Sequence, residues 1–151
     1  MDVASQLIDS YLNTRFEIDG KFTLQPRIRS VEIEGLFSDK NHQSASCITA
    51  FNPASKVCSD DENLNFHEKL IQEVESMCVQ FLPMFGRCPH GNWKSENGLL
   101  LLGISLSQAK QLGRKFNQNA IVFIGKDCIP EIYVIDRSLG FVNTLRPSPV
   151  C

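Results

Sequence analysis

Leu99, Leu100, Leu101 and Leu102, followed by Gly103 and Ile104, make an unbroken apolar run. A strand with one wet face alternates apolar and polar residues. A short run without alternation reads as a strand covered on both faces. Helices must then supply the covering layers. Ser105-Leu106-Ser107-Gln108 follows at once as a capping box, and Leu106, Ala109, Leu112 and Phe116 give the next helix its apolar stripe. A second capping box, Ser59-Asp60-Asp61-Glu62, heads a longer stripe of Leu64, His67, Ile71, Val74, Cys78 and Phe81. It predicts a helix over 60–79, ended by Pro83, with Asp60 and Asp61 at the positive end of its dipole.

The remaining pattern predicts a helix over 2–14 from Val3, Leu7, Tyr11 and Leu12. Two short strands follow around Asp19-Gly20. Val31 and Ile33 alternate with Glu32 and Glu34, predicting a further strand, and residues 35–45 read as a polar loop. Cys47 to Phe51 reads as a buried strand stopped at Asn52-Pro53. Gly86 to Asn97 reads as a loop. Asn119 to Ile124 and Glu131 to Ile135 read as strands joined through Gly125 to Pro130. Interleaved helices and strands predict an α/β or α+β fold, a single-domain sandwich with a mixed β-sheet and about three helices.

Composition narrows the class of molecule. The chain has 151 residues, 42% apolar and 21% charged, with a net charge of −2. That balance gives no overall attraction to nucleic acid or anionic membrane, and no basic stripe is present. The apolar run is too short to span a bilayer. Met1 to Ser5 carries neither a basic nor an apolar signal region, so the expected location is cytoplasmic. Six cysteines without a CxxC pair are then expected to stay reduced.

Several chemistries are suggested by local spacing. Cys88-Pro89-His90 sets thiol and imidazole two apart, but sequence neighbours across a proline rarely face each other as a catalytic pair, and an exposed turn accounts for them. Cys47 and Cys78 fall in core patterns. Cys58, His67, Cys88 and His90 match no zinc spacing, so no metal is expected, and His67 reads as a hydrogen-bonded core or boundary histidine. Capping accounts for Asp60, Asp61 and Glu62. Neither a P-loop nor a dinucleotide fingerprint occurs, and no cofactor is expected.

Glu96 stands apart. It lies three residues after Trp93, the single tryptophan, and just before the buried strand. A carboxylate held beside an indole is partly desolvated, which raises its pKa and suits it to proton transfer or to gripping a cationic or amide partner. Asn52, Asn63 and Gln118 carry primary amides, each with two donors and two acceptor lone pairs, able either to read a ligand or to close loops.

The blocks Ile48-Thr49-Ala50-Phe51-Asn52-Pro53, Asn63, Gly86, Trp93 with Glu96, Gly103-Ile104-Ser105 and Gln118-Asn119-Ala120 resemble the bacterial family described as domain of unknown function 3293. The resemblance runs over residues 45–135. Phe51 replaces the Trp more usual in that pattern, and Asn97-Gly98 follow Glu96 where Pro or Ser is expected. The resemblance implies an intracellular protein of bacterial or phage origin with no assigned reaction. It divides the expected single domain 1–151 into an N-terminal helix and strands (1–44), a family-like core (45–135) and an irregular tail (136–151).

Three functional readings stay open. In the first, Asn52, Asn63, Trp93, Glu96 and Gln118 line one concavity of a binding module for a nucleotide, peptide or other small ligand. In the second, Glu96 is the acid or base of a hydrolase or transferase. In the third, the protein is a phage or mobile-element factor acting through a protein-binding surface.

Overall fold

The computed structural model describes residues 3–89 and 94–135. Among these, four helices, α1 (Val3–Asn13), α2 (Val31–Lys40), α3 (Asp60–Ser76) and α4 (Leu106–Lys115), surround one sheet. Its strands are β1 (Arg15–Ile18), β2 (Phe22–Leu24), β3 (Ala45–Thr49), β4 (Gln80–Arg87), β5 (Glu96–Leu102), β6 (Ala120–Ile124) and β7 (Pro130–Val134), in the order β2-β1-β4-β5-β3-β6-β7.

The α+β alternative holds, but the sheet is not mixed: all six pairings are antiparallel. The reason lies in the crossovers. β3–α3–β4 and β5–α4–β6 each connect strands of like direction, yet neither pair is adjacent. β5 runs between β3 and β4, and β3 runs between β5 and β6, each in the opposite sense. The central order β4-β5-β3-β6 is that of a split βαβ, ferredoxin-like unit. Alternating helices and strands therefore give no adjacent parallel pair here.

Successive residues of β5 point to opposite cores, which is why its sequence does not alternate. Leu100 and Leu102 join Ile8 and Leu12 of α1, Ile33 and Phe37 of α2, and Cys47 and Val122. Leu99 and Leu101 join Leu70 and Val74 of α3, Ala109 and Leu112 of α4, and Ile48 and Ile121. The protein is thus a three-layer sandwich, with α1 and α2 on one face of the sheet and α3 and α4 on the other. All four leucines are at most 4% exposed, each contributing roughly 1.5–3 kcal/mol of burial.

Both capping boxes form. Ser59 Oγ accepts from Glu62 N at 3.2 Å while Glu62 Oε1 accepts from Ser59 N at 3.1 Å, and Ser105 and Gln108 repeat the pattern. The Ser59 N–H and hydroxyl, both donating to Glu62 Oε1, hold the Glu62 carboxyl below its usual pKa.

Three local expectations are corrected. The segment expected to be strand at Val31–Glu34, with its following loop, is α2. Ser30 Oγ accepts from Ile33 N at 3.1 Å as its N-cap, Glu32 and Glu34 sit in the first turn, and Ile33 and Phe37, four apart, are buried. Over four residues the helical and alternating patterns look alike, and the cap decides. Next, α3 stops at Ser76 rather than 79. Cys78 takes the left-handed conformation (φ 57°) just beyond it and is exposed, not core.

Finally, Pro83 lies inside β4, and Gly86 and Arg87 extend that strand rather than opening a loop. The proline is tolerated because its carbonyl accepts from Asp19 N at 2.8 Å, just past Met84, the last β4 residue paired with β1. Its own nitrogen faces the same side, where no ladder donor is required. The tail from 136 onward lies outside the described residues.

Candidate functional site

The site is built where β3 leaves the sheet. Thr49 Oγ1 donates to Asn97 O at 2.6 Å and accepts from Phe51 N at 3.1 Å, turning the chain away from β5. Asn52, Ala54 and Ser55 then take positive φ values of 47°, 56° and 60°. Such residues cost roughly 1–3 kcal/mol each and persist where their surroundings over-determine them. Here the surroundings do. Ala54 N donates to Asn117 O at 2.6 Å, and Ser55 N donates to Asn52 O at 2.8 Å.

Asn63, on the first turns of α3 and 5% exposed, reads this loop at two points. Its Oδ1 accepts from Asn52 N at 2.8 Å and its Nδ2 donates to Asn52 Oδ1 at 2.9 Å. Cys58 N also donates to Asn52 Oδ1, at 3.0 Å. With Oδ1 engaged by two donors, Asn52 must turn its amino group the other way. There Nδ2 donates to Glu96 Oε1 at 2.8 Å. A backbone N–H thus sets one amide, which sets the next, which fixes the carboxyl group.

Glu96 opens β5 opposite Gly86. Burial raises its pKa, and the Asn52 hydrogen bond offsets part of that rise. No Lys or Arg lies within 4.0 Å of it among the described residues. Arg87 Nε is bound to Glu17 Oε1 at 2.8 Å, and Lys94 Nζ faces Asp60 Oδ1 at 3.8 Å.

The second loop of the site, after α4, is stitched to the first. Gln118 Nε2 donates to Phe51 O at 3.1 Å and Phe116 O at 3.2 Å. Asn119 Nδ2 donates to Ser55 Oγ at 2.8 Å, and Ser55 Oγ also meets Tyr11 Oη of α1 at 3.1 Å.

Between α1 and the ends of β3 to β6 lies a cavity of about 120 Å³. Phe16, Cys47, Met84, Ala120, Val122 and Ile132 supply its apolar part; Tyr11, Thr49, Ser55, Arg87, Lys94, Glu96 and Gln118 supply its polar part. A wider depression of about 500 Å³ between α3 and α4 is lined by other residues, and Lys115 and Glu73 pair at its side, 2.8 Å apart.

Of the residues singled out from the sequence, Glu96 and Gln118 line the cavity. Asn52 and Asn63 stand behind Glu96 as its supports, their amides used within the protein. Trp93 lies outside the described residues, as does His90, so the expected indole contact and the Cys88–His90 pair are not described. Cys88 itself is half-buried at the cavity.

Cys47 is buried as expected, and burial pushes its thiol up to about 12. His67 is a boundary residue, edge-on to Phe51 with centroids 6.1 Å apart. Its buried Nδ1 has no hydrogen-bond partner among the described residues, and burial lowers its pKa. No three His, Cys, Asp or Glu side chains among the described residues cluster closely enough to hold a metal. Tyr11 and Ser55 were not singled out from the sequence. Tyr11 is part of an amphipathic stripe, and only the strained Asn-Pro-Ala-Ser turn could have drawn attention to Ser55.

Residues 48–121 match the family model described as Protein of unknown function (DUF3293). The match falls within the span of the resemblance read from the sequence. It covers 74 of the 151 residues, from within β3 to the second residue of β6. Asn52, Asn63, Glu96 and Gln118 all lie in the matched segment, whereas the α1 wall of the cavity and Ile132 lie outside it. No curated protein and no solved structure matches the chain. No helix among the described residues is long and apolar enough to cross a membrane.

Proposed function

We propose that this protein is a small-ligand binding module whose site is the cavity between α1 and the sheet. The observation that carries this reading is the treatment of Glu96: a carboxyl group placed at an apolar-lined cavity and oriented by two buried or half-buried amides. Two loops cross-linked by hydrogen bonds hold it in place. Groups held this way lose little entropy when a ligand arrives, so binding keeps more of its contact energy. Among the described residues the large exposed apolar side chains are Ile28 and Val31 beside the start of α2, Val57, Leu64 and Phe85. They lie in four stretches of the chain, and single exposed apolar residues are ordinary surface, which favours a pocket over a docking face.

A second reading, an enzyme using Glu96 as acid or base, draws support from the raised pKa of that carboxyl. The cytoplasm remains the proposed location, and a single domain over 1–151 the proposed organisation.

A thermal-shift screen of nucleosides, short peptides and small organic molecules tests the binding reading. One class is expected to raise Tm by several degrees at saturating concentration. Ala120→Leu, which fills the cavity, should abolish the shift while leaving the circular dichroism unchanged. A shift that survives Ala120→Leu, or no shift in any class, overturns the reading.

A further inference from the structure

The cavity's charge is unbalanced in a way that specifies its occupant. Among the described residues, three charged side chains reach it: Arg87, Lys94 and Glu96. Both cations already face carboxylates, Arg87 through Glu17 at 2.8 Å and Lys94 through Asp60 at 3.8 Å. Glu96 alone has no cationic partner among the described residues. Its only hydrogen bond there is the neutral one from Asn52, made at Oε1. Oε2 has none among them. A carboxylate half out of water with one neutral donor is under-compensated, and an incoming cation would supply the missing charge. Phe16, Met84, Val122 and Ile132 give the cavity an apolar wall, beside neutral polar groups from Tyr11, Thr49, Ser55 and Gln118.

From this geometry we infer that the cavity takes a small organic cation, a protonated amine or amidine on a compact apolar body, with its N–H groups on Glu96 Oε2. This rests on the binding-module reading and narrows it. A volume of about 120 Å³ suits one six-membered ring or a short branched chain; an engineered apolar cavity of about 150 Å³ holds benzene. Anions are served less well, because Arg87 is held by Glu17 and Lys94 is almost fully exposed to solvent. A neutral isostere would fill the apolar part but leave Glu96 uncompensated.

Benzylamine, benzyl alcohol and benzoate have similar shapes and differ in charge, so they separate the two claims. Calorimetry on the full chain at pH 7 should find benzylamine bound most tightly. Glu96→Gln, which keeps an acceptor for Asn52 Nδ2, should weaken benzylamine by about ten- to hundredfold and leave benzyl alcohol unchanged. A urea midpoint for Glu96→Gln no lower than that of the parent protein excludes misfolding as the cause.

Equal binding of all three probes, or an unaltered benzylamine affinity in Glu96→Gln, overturns the cation inference and leaves the pocket standing. Failure of all three to bind, with no stabilisation in the wider screen, removes the pocket and the inference together.

Discussion

Asn52 Nδ2 and Glu96 Oε1 lie 2.8 Å apart although 44 positions separate them in the chain. One sits in a left-handed turn after β3, the other at the first position of β5. The bond joins the strained loop to the sheet, and Asn63 locks it from behind.

Asn52→Asp tests that arrangement. The new carboxylate still accepts from Cys58 N and Asn63 Nδ2, but it loses the donor to Glu96 and sets two carboxyl groups within hydrogen-bond distance. Such a pair shares one proton and resists full ionisation. The variant should lose about 2–4 kcal/mol at pH 7 by urea unfolding, since one hydrogen bond disappears and two like charges are brought together. It should recover most of that near pH 4. A deficit independent of pH would count against the Asn52–Glu96 bond.

Asn63→Ala leaves Asn52 N without its partner at a half-buried position. An unmade bond of this kind costs about 1–3 kcal/mol. The loss should appear in denaturant unfolding, and faster amide exchange should be confined to the 52–58 loop. Stability equal to the parent's would show that the loop does not depend on this contact.

Glu96→Gln carries a pH signature. Burial raises the folded-state pKa of Glu96 above its unfolded value, so the folded protein holds the proton more tightly. The carboxyl group's favourable contribution is complete below the unfolded pKa, and it is lost as pH rises through the raised folded pKa. At pH 7 the parent therefore bears a desolvation cost that the amide lacks. The variant should be more stable than the parent at pH 7, with the gain shrinking toward pH 4. Urea midpoints across that range decide it, and a constant difference would contradict the assigned cause.

Glycine at 98 is required by space. A Cβ there would lie 2.5 Å from Met84 Cε and 2.7 Å from Ile48 O, whereas at Gly86 the nearest atom is 3.7 Å away. A side-chain methyl can swing aside; a strand carbonyl cannot without disturbing the β3–β5 ladder. Gly98→Ala should destabilise by about 1–3 kcal/mol, as overpacked sites do. Gly86→Ala should change thermal stability little. Similar effects at the two positions would remove the steric argument.

Ala54 holds φ 56° with a methyl group that glycine would lack. Relief of that strain outweighs the extra freedom of the unfolded chain, so Ala54→Gly should stabilise by about 0.5–1 kcal/mol in thermal unfolding. A destabilised variant would show that the loop conformation carries no strain at this position.

Much of the fold was legible in one dimension because it is set by local rules. The capping boxes at Ser59 and Ser105, the leucine run of β5 and the tight turn at Asp19-Gly20 each depend on neighbours a few residues away. Where two local patterns compete over a short span, the sequence misleads: Val31–Glu34 fits a strand until the Ser30 cap is seen, and Pro83 fits a helix stop until the end of β1 is located. Candidate residues showed through as polar groups stranded beside core segments, which is how Asn52, Asn63, Glu96 and Gln118 came to notice. Their division into supports and cavity lining did not, because an amide's partner is whatever the fold brings within hydrogen-bond reach, and residue type says nothing of that. The antiparallel pairing and the Tyr11–Ser55 contact are of the same kind. Short-range periodicity and capping act along the chain and can be read there. Strand insertion, the burial of Glu96 and the direction of each amide arise between segments tens of residues apart, and they exist only once those segments have packed.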